Sequence, residues 1–180
     1  MIILVINGND GDLSLDTYVQ SYIELLKTKD ITVKSCNLRE LFIKQCTGCC
    51  ACMVKTPGIC ALKDDQQLIL KDYISSDAAI IFAPLRFGFI NAATKIFLDR
   101  MFPLELPYID FKNGKMHHKL RYEKYPKMGF VFRPETDTDN EDIELNRIYA
   151  RHLGDYYNGL VFAKTTETAI QELVDETIGL

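Results

Sequence analysis

Ala78-Ala-Ile-Ile-Phe-Ala-Pro84 is apolar at every position. A strand with no polar face has nothing to offer water, so the run fits a strand covered by helices on both sides, as in a parallel sheet. A loop through Phe87-Gly88 follows it, and the next stretch predicts a helix from about Ala92 to Arg100. The remaining elements are read outward from this strand–loop–helix unit.

Toward the amino end, Ile2 to Val5 is a short aliphatic strand that runs into the turn-rich stretch Asn7-Gly8-Asn9-Asp10-Gly11-Asp12. Leu15, Val19, Tyr22, Ile23 and Leu26 then recur at helical spacing, with Ser14 as the expected N-cap. Ile31 to Cys36 alternates apolar and polar residues and reads as a second strand. A cysteine-rich loop at 46–60 contains a Thr56-Pro57-Gly58 turn, and Asp64-Asp65 precede a helical pattern over Leu68 to Ile74. Toward the carboxyl end, residues 103–126 read as an irregular excursion. Met128 to Phe132 and Leu160 to Ala163 read as strands, and Asp139 to Tyr157 and Glu167 to Ile178 as helices.

Strands alternating with helices imply a parallel sheet with right-handed crossovers. Five such strands fit one flavodoxin-like, doubly wound α/β domain over residues 1–180, a three-layer α/β/α arrangement. Its ligand site lies beyond the carboxyl ends of the strands. That geometry brings together three loops: 8–14, 84–91 and 133–139.

With 21 basic and 25 acidic residues the formal net charge is −4, which disfavours general nucleic-acid binding. No apolar run approaches the roughly 20 residues that span a bilayer, and the apolar start lacks a basic region and a cleavage site, so a cytoplasmic protein is expected. Five of six cysteines fall between Cys46 and Cys60, which in a reducing compartment favours metal or redox chemistry over a disulfide framework.

The segment Ala83 to Arg100 resembles the NADPH-dependent FMN reductase family in Pro84, Gly88, Lys95, Phe97, Asp99 and Arg100, with Arg86 standing where the family has tyrosine. Cys46-Thr-Gly-Cys-Cys-Ala-Cys52, with Cys60 and Asp64-Asp65, resembles the iron–sulfur flavoprotein branch. The resemblance implies bound FMN, reduction by NADH or NADPH, an unidentified electron acceptor, and homodimers or homotetramers. Hydride and electron transfer need no acid–base residue from the chain, so none is assigned a catalytic role.

The residues themselves suit a flavin. Pro84 presets φ, Gly88 permits close backbone approach, Phe87 offers an aromatic face, and Leu85 and Arg86 lie on the same loop. Asn9 and Ser14 can donate to a phosphate at a helix start, and Arg86 or Arg133 can add positive charge. The bland alternatives are an ordinary connection and solvated arginines. Asp10 and Asp12 stand where the family carries an arginine. A carboxylate at ~6 Å from a phosphate, in an effective dielectric of ~20, costs roughly 3 kcal/mol. Either these acids turn to solvent, or tight FMN binding is lost and the chain is a flavodoxin-like binding or regulatory module.

Cys46, Cys49, Cys52 and Cys60 follow a C-x2-C-x2-C-x7-C spacing, and Cys50 either replaces Cys49 or Cys52 as a ligand or is simply buried. Four thiolates on one loop can hold a [4Fe–4S] cluster. Zinc, which more often takes two separated C-x2-C pairs, and a metal-free loop stay open. The lysine-rich segment 112–127, with its tyrosines and His117-His118, can attract an acidic partner or a nucleotide, or simply be a solvated excursion.

Overall fold

The computed structural model describes residues 1–112 and 114–180; the Lys112 side chain lies outside the described residues. The elements in chain order are β1 (Ile2–Asn7), α1 (Leu13–Lys27), β2 (Thr32–Asn37), α2 (Ala51–Val54), α3 (Gln66–Ile74) and β3 (Ala78–Arg86). They continue with β4 (Phe89–Ile90), α4 (Ala92–Asp99), β5 (Glu105–Lys112), β6 (Lys115–Leu120), β7 (Lys127–Arg133), α5 (Asn140–Tyr157), β8 (Leu160–Thr165) and α6 (Ile170–Ile178). The main sheet has the order β2-β1-β3-β7-β8, parallel throughout, with β4 folded back antiparallel onto the end of β3.

Alternate residues of the strands feed two separate cores. Ile3, Val5, Ala78, Ile80, Phe82 and Val131 face α1 and α6. Leu4, Ile6, Ala79, Ile81, Ala83, Phe130 and Phe132 face α3, α4 and α5. Both faces of β3 are therefore covered, which is why Ala78–Leu85 carries no polar residue and is buried along its length.

Three local readings need correction. The N-cap of α1 is Asp12 and not Ser14, because the Asp12 carboxylate accepts from the Ser14 and Leu15 amides. The stretch 103–126 is not irregular: β5 and β6 form an antiparallel hairpin. The cysteine loop contains one helical turn, α2, started by Cys50 at φ 52°. The expected acids do stand ahead of α3: Asp64 accepts the Gln66 amide at 3.3 Å, and Asp65 accepts the Phe42 amide at 2.7 Å. Among the described residues, no helix is long and apolar enough to cross a membrane.

Gly129 lies where β7 crosses the middle of the sheet, and a Cβ there would come within 2.7 Å of Ile80 Cδ1 and 3.0 Å of Phe162 Cε2. Gly129→Ala is expected to overpack this layer and destabilise the fold by about 1–3 kcal/mol. Urea unfolding should show a lower midpoint with an unchanged slope; an unaltered midpoint would contradict this packing.

Candidate functional site

The loops after β1, β3 and β7 meet at the carboxyl rim of the sheet and are bonded to one another. Arg86, at the end of β3, donates from Nε and Nη2 to Asp10 at 3.1 and 2.5 Å, and its Nη1 lies 3.0 Å from Glu135 Oε1. One guanidinium thus joins all three loops. Arg133, the last residue of β7, donates to Asp12 Oδ2 at 3.1 Å and to Ser14 Oγ at 3.0 Å. Neither arginine is a free surface cation.

The loop between β3 and β4 is shaped by backbone geometry and by two asparagines. Phe87 and Gly88 take φ values of 52° and 76°. A Cβ at Gly88 would also lie 2.3 Å from Asp142 Oδ1, so only glycine fits there. Asn146, fully buried on α5, accepts the Ile90 amide at 3.1 Å and donates to the Gly88 carbonyl at 2.9 Å. Asn91 caps α4 through the Thr94 amide and donates to the Gly8 carbonyl at 2.8 Å. Pro84 and Leu85 are buried beneath this rim, whereas the Phe87 ring is 99% exposed.

The first loop is saturated by its own side chains. Asn9 is buried; its Nδ2 donates to the Asp12 carbonyl at 2.7 Å, and its Oδ1 accepts the Gly11 and Asp12 amides at 3.1 and 2.9 Å. Asp12 Oδ1 accepts the Ser14 amide at 2.8 Å, the Ser14 hydroxyl at 2.6 Å and the Leu15 amide at 3.4 Å. An anion seat at the start of α1 is thus occupied by the chain's own carboxylate, and Asn9 and Ser14 are drawn into holding that loop. The Ser14 hydroxyl is the first cause that brings the Asp12 pKa down to about 2; burial opposes it, and the Ser14 amide and Arg133 help.

The cysteine loop lies on the α3–α4 side of the sheet. Cys46, Cys49, Cys52 and Cys60 all line one small cavity of about 70 Å³, walled by Met53, Leu62 and Phe102. All six cysteines are free thiols. Among the described residues, no group of three or more His, Cys, Asp or Glu side chains already stands in a metal-holding arrangement. Burial pushes Cys52 up to about 11, whereas the Ala51 amide, then the Thr47 hydroxyl, hold exposed Cys49 below the usual thiol value. The donor set suits an iron–sulfur cluster. Cys50, an exposed thiol, lines the same cavity, so five thiols share it and the four ligands of a cluster would be drawn from these five. Cys36 stands apart on β2, raised to about 12 by burial. A larger groove of about 490 Å³, lined by Asn7, Asp16, Gln20 and Arg39, lies between α1 and β2 and borders the first loop through Asn7, whose Oδ1 accepts the Asn9 amide at 3.0 Å.

Residues 1–120 match the family model of the NADPH-dependent FMN reductases. The chain belongs to this family. An iron-sulfur flavoprotein of Archaeoglobus fulgidus is 30% identical over 100 residues, covering 56% of this chain and 48% of the relative. Another, of Methanocaldococcus jannaschii, is 28% identical over 111 residues, covering 60% of this chain and 55% of the relative. The matches thus span about half the length of these relatives. Among solved structures, an NAD(P)H:quinone oxidoreductase from Methanothermobacter marburgensis superposes with a TM-score of 0.66 at 13% identity, covering 97% of this chain and 91% of that one. An FMN-dependent NADH-azoreductase from Bacillus anthracis, in complex with FMN, superposes with a TM-score of 0.56 at 14% identity, covering 99% and 94%. Both likenesses are of fold.

Reading the sequence alone misses Asn91, Asn146 and Glu135, which hold the loops. The Asn91 signal was available, since Asn immediately ahead of an Ala-Ala-Thr helix start is a familiar cap; Asn146 gives none.

Asp12→Ala removes the cap of α1 and is expected to cost about 1 kcal/mol at neutral pH. A folded carboxyl held below its ordinary 3.8 contributes stability that is present above that value and is lost as pH falls through about 2. The gap between variant and parent in chemical unfolding should therefore narrow from pH 4 to pH 2. A gap independent of pH would contradict the Asp12 contacts.

Proposed function

We propose that this chain is an NAD(P)H-dependent FMN-binding oxidoreductase or flavoprotein electron carrier, possessing a [4Fe–4S] relay on Cys46, Cys49, Cys52 and Cys60. The observation that carries the reading is the bonding of the loops after β1, β3 and β7 through Arg86, at the rim where a family member's nucleotide is expected. Bound FMN would supply two-electron acceptance from a nicotinamide and release of single electrons. A cluster, with its thiolates, would supply one-electron transfer.

The chain's own residues have three tasks. Asn91 and Asn146 fix the backbone at Gly8 and Gly88, so the rim is set before a ligand arrives. The Pro84–Gly88 reversal, with exposed Phe87, offers an apolar wall and backbone polar groups to a flat ring system. Arg86 and Arg133 carry the positive charge toward which an anionic nucleotide would turn, once their carboxylate partners yield. Residues 1–180 are taken as one flavodoxin-like domain working in the cytoplasm, where the clustered thiols stay reduced. The acceptor is an unidentified redox partner. Association into homodimers or homotetramers is supported by exposed Tyr108, Phe111 and Met116 on the β5–β6 hairpin.

A second reading is favoured by one contact. Because Asp12 fills the α1 amides, the chain is a flavodoxin-like binding or regulatory module with weak FMN affinity. The two readings separate by titration. Under the first, anaerobically purified protein carries a flavin spectrum or binds FMN saturably, and it oxidises NADPH or NADH with ferricyanide as acceptor. No saturable binding at about tens of micromolar would overturn it. Asp12→Asn keeps a cap but removes the charge, so it should tighten FMN by roughly tenfold or more and leave riboflavin unchanged. An equal effect on both flavins would contradict the role given to Asp12.

A further inference from the structure

Arg100 is one of the largest fully enclosed side chains of the protein, 2% exposed, at the end of α4. Its partners frame the cysteine loop on both sides. Nη1 donates to the Lys44 carbonyl at 2.6 Å and to Asp64 Oδ2 at 2.7 Å, and Nη2 donates to Asp64 Oδ1 at 3.0 Å. Lys44 precedes Cys46 and Asp64 follows Cys60, so one guanidinium ties the two ends of the loop together. The clamp is anchored in turn: Gln66 Nε2 donates to the carbonyls of Phe97 and Arg100 at 3.0 and 3.4 Å.

Two further observations concern the side of the guanidinium that these bonds leave open. Arg100 Nε is buried without a hydrogen-bond partner, an arrangement that costs free energy unless something accepts from it. The two groups the guanidinium grips lie close to the candidate ligands along the chain, Lys44 two residues before Cys46 and Asp64 four residues after Cys60. Cys60 lines the cavity shared by Cys46, Cys49 and Cys52. A permanently charged, weakly hydrated group thus lies at the neck of the loop that carries the candidate ligands, with a donor to spare.

We infer that Arg100 is a positioning residue that closes the cysteine loop and directs positive charge and an N–H donor at the group held by its thiolates. The inference rests on the proposed reading of Cys46, Cys49, Cys52 and Cys60 as cluster ligands. Thiolate-bound iron–sulfur clusters are anionic and gain further negative charge on reduction, so a neighbouring cation and a donated hydrogen bond favour the reduced form. Low polarity around the cavity strengthens that effect. Arg100 therefore raises the reduction potential of the cluster. α4, about 12 Å long at 1.5 Å per residue, begins at the Asn91 contact with Gly8 and ends at this clamp, so one rigid element joins the flavin rim to the cysteine loop.

The test uses the full chain purified anaerobically, as wild type, Arg100→Lys, and Arg100→Gln combined with Asp64→Asn, which removes both buried charges. Iron and sulfide content, potentiometric titration and pulsed paramagnetic resonance of the reduced protein labelled with 15N-arginine are measured. The wild type should show an arginine nitrogen coupled to the cluster, absent in Arg100→Lys. The doubly neutral variant should have a lower midpoint potential, which the lysine variant largely restores. A folded, cluster-loaded neutral variant with the wild-type potential would overturn the inference. So would the absence of an arginine coupling in the wild type, a result that does not depend on any variant folding. A wild type without iron and sulfide would defeat the cluster reading itself, and the Arg100 role with it.

Discussion

The amides at the start of α1 dominate the behaviour of this site. A helix leaves its first N–H groups without partners inside the helix, and in the flavodoxin-like arrangement those groups face the ligand rim. Here Asp12 accepts two of them and Arg133 balances its charge. The consequence spreads through the rim: Asn9 and Ser14 are oriented by Asp12, and Arg86 is held by Asp10 and Glu135. A nucleotide that binds at this rim, as proposed, would meet an ion network that is already complete. Its affinity is the difference between two sets of similar bonds, and small changes in charge are accordingly large in effect.

The fixed part of the site is of another kind. Asn91 and Asn146 are buried neutral amides whose bonds to Gly8, Ile90 and Gly88 do not depend on pH or on a ligand. They hold the backbone of the rim while the ion pairs above remain exchangeable.

Much of this architecture is legible from residues 2–5, 78–84 and 128–132, because a strand buried on both faces must be apolar throughout. Gly88 is legible for a similar reason, since few residues tolerate its backbone. The β5–β6 hairpin is hidden: Pro107, Asp110 and the Lys115–Lys119 stretch give no regular alternation, and its pairing is set by contacts such as Tyr156 Oη donating to the His118 carbonyl. The choice of Asp12 over Ser14 as cap is also hidden, since both residue types cap well and only the path of the chain decides. The rim network joins residues 76 and 48 positions apart, which no local pattern announces. Arg100 stands out in the sequence only as part of a family-like helix; its partnership with Asp64 appears when α3 and α4 are packed together.

The claim that the three loops make a flavin-binding rim is tested most directly by a crystal structure of the protein grown with FMN. The account predicts the ring system against the Pro84–Gly88 reversal, with the phosphate at the start of α1 and the Asp12 carboxylate turned away from the Ser14 and Leu15 amides. FMN absent at saturating concentration, with Asp12 still on those amides, would contradict it.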